Sequence, residues 1–286
     1  MSSNTGGYFV PAPTAWPFYL TIGLFLLLGG VSNYLNGHGT SIFMWTGLVI
    51  ALAFIWIWFR GIINESESGK YGEQVDMTYR WGMGWFIFSE VMFFGAFFGA
   101  LFYARQLSLP WLGGTDVMTN AVLWPQFENA WPTNGPGSMG GDFGIIPPWG
   151  VPFLNTMLLL TSGVTLTFAH HGLRENKPRR NVILWMWATV ALGCIFLFFQ
   201  AEEYIVAYQH LNLTMESGIY GSTFFMLTGF HGMHVTLGTL MLLVITLRLM
   251  KGHFKPDSHF GFEGVAWYWH FVDVVWLGLF VFVYIL

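Results

Sequence analysis

The chain has 286 residues, of which 54% are hydrophobic, 19% aromatic and 9% charged. A soluble domain carries about 25% charged residues, so this chain lacks the charge to coat a water-facing surface and reads as an all-α polytopic membrane protein. A net charge of -4 with eleven Lys and Arg excludes a binder of the nucleic-acid backbone. The single cysteine, Cys194, lies in an apolar run and excludes a disulfide framework, an iron–sulfur cluster and a Cys-rich zinc site.

A helix that crosses about 30 Å of hydrocarbon needs about 20 mostly apolar residues. After an N-terminal segment, 1–15, seven stretches meet that length: 16–36, 41–59, 81–104, 151–169, 181–208, 218–247 and 264–286. They are continuous rather than alternating, which argues against barrel strands. The first has no Lys or Arg before it, so it reads as a retained helix and not as a signal peptide. Arg60, Lys70 and Arg80 flank the second loop, Arg174, Lys177, Arg179 and Arg180 fill the fourth, and Arg248, Lys251 and Lys255 mark the sixth. Every basic residue except Arg105 thus falls on one side, which the positive-inside rule makes cytoplasmic, or the matrix side in an organelle. The N-terminus is then inside and the 105–150 loop external. Its Trp, Pro and Gly content predicts an irregular connector along the membrane interface. No internal repeat is evident, which weakens an inverted-repeat transporter reading.

Ionisable groups inside a bilayer are costly and become functional candidates by default. Glu90, Glu202, Glu203 and Asp273 fall within spans, together with His231, His234 and His270. Counting about 1.5 Å per residue puts Glu90 and Asp273 roughly 15 Å deep, where they could meet His231 and His234. Those two histidines share a helix face, as do His270 and Asp273. Desolvation at that depth predicts a protonated Glu90. These groups could brace helices by hydrogen bonds, form a proton path, or bind a metal. The Glu-x-x-His pairs of a di-iron bundle are absent, because Phe93 follows Glu90 at that spacing and Val206 follows Glu203. At the inner boundary, His170 and His171 end the fourth span, while His259 and Glu263 begin the seventh. They suit a solvated patch, a proton-collecting surface or a zinc site. Arg60 and Glu65, and then Arg248, Lys251 and His253, close the inner ends of the second and sixth spans, where basic pockets attract lipid head groups.

The ten residues Trp267-Tyr268-Trp269-His270-Phe271-Val272-Asp273-Val274-Val275-Trp276 resemble a signature of cytochrome c oxidase subunit III. Ser89-Glu90-Val91-Met92-Phe93-Phe94 and Thr228-Gly229-Phe230-His231-Gly232-Met233-His234-Val235 resemble that family too. So do Leu154-Asn155-Thr156, Ala169-His170-His171 and His259-Phe260-Gly261-Phe262-Glu263, all in the family's order from about Trp16 to the C-terminus. The resemblance implies two helices (16–63) standing apart from five (79–286), with phospholipids held in a V-shaped cleft. It implies no haem or copper in this chain, haem A and copper residing in subunits I and II. It also implies a role in stabilising subunit I, sustaining proton uptake and protecting the catalytic centre. The family's carbodiimide-reactive glutamate falls on Glu90, its lipid-binding arginine on Arg248 with Lys251 and His253 nearby, and its span-two glutamate on Glu65.

Two departures stand out. The second loop reads Gly69-Lys70-Tyr71-Gly72-Glu73 where the family often carries a histidine, and Asn64 replaces a basic residue. The long 105–150 segment favours a bacterial plasma membrane over a mitochondrial inner membrane. The first two spans favour the cytochrome c branch over the five-helix subunit III of quinol oxidases. A proton-coupled transporter using Glu90 and Asp273 is the alternative from another class.

Overall fold

The computed structural model describes residues 9–38 and 41–286. Seven helices among them are long and apolar enough to cross a membrane, and no β-strand occurs among the described residues. They are α1 (Trp16–Leu35), α2 (Ile42–Glu67), α3 (Glu73–Tyr103), α5 (Val151–Arg174), α6 (Arg179–His210), α7 (Gly218–Met250) and α8 (Phe260–Leu279), with a short α4 (Val117–Leu123) between α3 and α5. Wider π-type turns prolong α8 through Phe280–Ile285.

Local chemistry marks the helix ends. Pro17 and Pro152 occupy the first turns of α1 and α5, where a missing N–H costs nothing. Asn176 after α5 (φ 53°) and Gly252 after α7 (φ 85°) take the left-handed conformation that closes a helix. Asp116 caps α4 by accepting from the Thr119 N–H at 3.0 Å. The Thr119 hydroxyl adds to that contact, and together they hold the Asp116 carboxyl below the usual carboxylate range.

One expectation needs correcting. Helical winding does not stop at residue 104 but continues through π-type turns at Ala104–Ser108 and Trp111–Thr115, and α4 follows. The irregular part of the expected 105–150 connector therefore starts after α4. The charge of Arg105 ends the apolar window in the sequence. In the fold its guanidinium lies 5.6 Å over the Trp131 ring.

The chain divides into two compact units, one ending at Tyr79 and one running from Arg80 to Leu286. In the first unit, the buried residues of α1 and α2 are Gly23, Gly30, Gly47 and Ala51 among the described residues. A Cβ on Gly30 or Gly47 would run into the backbone of the facing helix, so main chain touches main chain here. Trp16 stacks on Trp58 at 4.6 Å and Tyr19 on Phe54 at 5.0 Å along the same pair.

The second unit is held differently. Trp269 of α8 is fully buried and donates its indole N–H to Ser162 Oγ of α5 at 2.8 Å. Gly193 of α6 and Gly238 of α7 leave room for its ring: a Cβ on either would come within 2.9 Å and 2.8 Å of it. One indole thus touches three other helices. Two turns on, Trp276 repeats the motif by donating to Thr156 Oγ1 of α5 at 2.9 Å.

Candidate functional site

The polar residues expected near the membrane centre do not converge on one point. Most find partners of their own, and the result is a set of separate contacts in the second unit.

Glu90 of α3 meets His234 of α7, with Oε2 2.9 Å from Nε2. The other ring nitrogen, Nδ1, lies 2.6 Å from the Phe230 carbonyl. A carbonyl oxygen only accepts, so Nδ1 carries a proton. Nε2 then either accepts from a protonated Glu90 or donates to an ionised one. The pair therefore shares a single proton between two side chains, bound by rings of Phe94 at 5.0 Å and Tyr268 at 6.3 Å from the imidazole. Glu90 is therefore not a lone acid.

His231 sits one turn before His234 and faces a different neighbour. It is fully buried, donates Nε2–H to the Val272 carbonyl at 3.2 Å, and packs against Trp276 and Phe196 at 5.1 Å and 5.8 Å. Its Nδ1 has no hydrogen-bond partner among the described residues. Glu203 is buried and accepts from the Tyr284 hydroxyl, whereas its neighbour Glu202 is exposed. Asp273 and His270, one turn apart on α8, face each other at 3.7 Å.

At the end that carries the α5–α6 and α7–α8 loops, the expected histidine cluster is only partly assembled. His170, His259 and Glu263 bring one ligand atom each within 4.8 Å of one another, a spacing that could hold a cation. Glu263 also pairs with Arg80 at 2.6 Å. His171 turns away and lines a cavity of about 290 Å³ with Phe168, Lys177, Asn181 and Trp185.

The basic residues expected to hold lipid lie at helix ends. The Arg248 guanidinium sits 4.6 Å over the Phe254 ring, with Gly261 leaving it space. Lys251 is exposed and His253 half-buried. In the first unit, Arg60 is exposed, and Glu65 accepts from the Tyr71 hydroxyl at 2.9 Å, which in turn receives a 3.3 Å contact from Tyr79. Burial, followed by these hydrogen bonds, pushes the Tyr71 phenol above its ordinary value.

A family model described as cytochrome c oxidase subunit III matches residues 7–286. The chain belongs to the cytochrome c oxidase subunit III family. Cytochrome c oxidase subunit 3 of Hippopotamus amphibius is 39% identical over 285 residues, which is 99% of this chain and 98% of that protein. The same subunit of Equus caballus and that of Pongo abelii are each 40% identical over 287 aligned positions, again 99% and 98% of the two chains. Family membership and the seven apolar helices together make this a multi-pass membrane protein.

Reading the sequence for ionisable groups overlooked the hydroxyls and indoles that join the family's blocks. Ser162 and Thr156 with the two tryptophans tie α5 to α8 without any acid or histidine, and Tyr284 supplies the donor to Glu203. The available signal was the pair Trp269 and Trp276, two turns apart and so on one face of α8.

Proposed function

We propose that this chain is subunit III of an aa3-type cytochrome c oxidase. It supports electron transfer from cytochrome c to oxygen, and the coupled proton pumping, without a redox centre of its own. The observation that carries this reading is the Glu90–His234 pair, a closed contact between two of the family's sequence blocks. A residue pair of this kind ties α3 to α7 and keeps one proton within the bundle. It therefore suits a role in stabilising subunit I and sustaining proton uptake.

The histidines do not fit a haem. His234 has both nitrogens engaged, and His231 has its Nε2 committed to a backbone carbonyl. They are one turn apart on one helix and cannot approach an iron from opposite faces. Haem A and copper belong, in this reading, to subunits I and II, the partners of this chain.

The two-helix and five-helix groups are proposed to hold phospholipids in the cleft that the family resemblance implies. Division of the chain after Tyr79 supports the grouping. Arg248, Lys251 and His253, with Arg60 and Glu65, are the proposed head-group contacts, since a guanidinium matches a phosphate with two parallel hydrogen bonds. The long segment between α3 and α5 supports a bacterial plasma membrane as the location, with the N-terminus cytoplasmic.

The test is to purify the tagged chain from its own membranes in mild detergent, run a native gel, and record the reduced-minus-oxidised spectrum. Haem A and copper comigrating with the chain are expected. A chain that migrates without either overturns the reading, and solute uptake by the chain alone would favour a transporter.

A further inference from the structure

Between α5 and α8 the second unit carries a notch of about 350 Å³, lined by Leu160, Gly163, Thr167, His270, Asp273 and Val274 among others. His270 and Asp273 lie ten and thirteen residues from the start of α8 at Phe260, so roughly 15 and 20 Å along a span. That is the hydrocarbon depth of a bilayer, beyond the reach of head groups. Yet the His270 side chain is 45% exposed there. Around it the surface is apolar, with Val164 and Val274 exposed.

The polar groups in this notch are incompletely satisfied. Asp273 is 6% exposed and its Oδ1 has no hydrogen-bond partner among the described residues. Its Oδ2 faces His270 Nδ1 at 3.7 Å, and His270 Nε2 reaches Thr167 Oγ1 only at 3.5 Å. Glycine at 163 is what admits the carboxyl, because a Cβ there would come within 2.5 Å of Asp273 Oδ2. A carboxylate beside Nδ1 favours the proton on that nitrogen and leaves Nε2 as an acceptor. A half-exposed imidazole acceptor in hydrocarbon forfeits its hydrogen bond with water. An acyl chain has no donor to replace it.

The geometry points to this notch as the seat of a transmembrane helix from another oxidase subunit, one that presents a hydroxyl, amide or indole donor to His270 at mid-membrane depth. The inference rests on the reading of this chain as an oxidase subunit.

The experiment uses the assembled complex. A benzophenone amino acid replaces Val274 at the rim of the notch, and the membranes are irradiated before purification. Attachment to one partner subunit is expected, whereas adducts with lipid or detergent alone would overturn the proposal. Separately, His270→Leu should reduce the share of the chain that stays with the haem A complex in detergent. The expected loss is on the order of threefold, the size of one interhelical hydrogen bond in a bilayer. His270→Gln should restore most of it. Retention of His270→Leu at the unsubstituted level counts against the proposal. Should that variant fail to fold, the cross-link with His270 in place still decides. If the chain copurifies with haem A but cross-links only to lipid, this inference alone fails. If no haem A copurifies, the oxidase reading fails and takes the inference with it.

Discussion

In the first unit α1 and α2 bury Gly23, Gly30, Gly47 and Ala51, whereas α5 in the second buries Asn155, Thr156, Ser162 and Thr165 along with its apolar residues. Lipid tails are as apolar as leucine, so helices in a bilayer gain little from hiding apolar surface against one another. What remains is close van der Waals approach and hydrogen bonding. The α1–α2 pair uses the first, bringing backbones together where side chains are missing. The α5–α8 bundle uses the second, with hydroxyls on α5 receiving indole N–H groups from α8. The lesson is that sensitivity to mutation should differ in kind: to added volume in the first unit, and to lost acceptors in the second.

The largest effect should come from adding volume in the first unit. Gly30→Leu and Gly47→Leu place carbon where the facing backbone already lies. A backbone cannot repack as a side chain can, so the cost should be about 3 kcal/mol or more, the upper part of the overpacking range. Gly29 is the internal control. A Cβ there meets nothing within 4 Å, so Gly29→Ala should leave the pair intact. Protease resistance of the α1–α2 segment in detergent distinguishes the outcomes. Equal sensitivity at positions 29 and 30 would remove the distinction between the units.

Loss of an acceptor should act in the second unit with a smaller effect. Ser162→Ala leaves the Trp269 N–H buried without its partner, at a cost of roughly 1–2 kcal/mol. Ser162→Thr keeps the hydroxyl and should cost less, despite its extra methyl. Denaturation followed by tryptophan fluorescence reads both. If the alanine variant were the more stable of the two, volume rather than hydrogen bonding would govern this bundle as well.

The same contrast explains what could be read from sequence. All seven spans were legible, because hydropathy is a local sum over about 20 residues and each helix satisfies it alone. The pairings were not. Glu90 and His234 lie 144 positions apart, and Trp269 lies 107 from Ser162. Depth counting put Glu90, His231, His234 and Asp273 at similar levels, but depth fixes one coordinate of three. Rotation about each helix then sent His231 to Val272 and His234 to Glu90, although the two are one turn apart. Gly193 and Gly238 gave no warning, since a glycine that accommodates a distant indole looks like any other glycine in a span. The helical turns that follow α3 were missed because Arg105 and the Gly- and Pro-containing stretch after it lower the local hydropathy.

Arg248 tests the proposed lipid contact at the rim of the hydrogen-bonded unit. Arg248→Ala removes a guanidinium that now lies over Phe254. A charge-assisted bidentate contact with a phosphate is worth enough that its loss should lower the bound phospholipid by about tenfold at limiting lipid. Arg248→Lys keeps the charge and loses the paired geometry, so its loss should be intermediate. Mass spectrometry of lipid that copurifies with the complex measures this. Unchanged lipid in the alanine variant would detach Arg248 from the cleft.

The smallest effect is expected at Glu90, and it separates bracing from proton carriage. His234 donates Nδ1–H to Phe230, so its Nε2 can accept a hydrogen bond. In Glu90→Gln the amide N–H can donate to that nitrogen much as a protonated carboxyl would. The α3–α7 contact is then kept, while the shared proton can no longer move between the two side chains. If the pair serves as a brace, oxygen consumption by the assembled complex should stay close to the unsubstituted level. Glu90→Leu, which fills similar space but offers no donor, should instead loosen the contact and shorten the life of the complex during turnover. If Glu90 were an obligatory carrier, both variants would stop turnover alike. Near-complete loss of oxygen reduction in a correctly assembled Glu90→Gln complex would therefore place this carboxyl in the proton path itself.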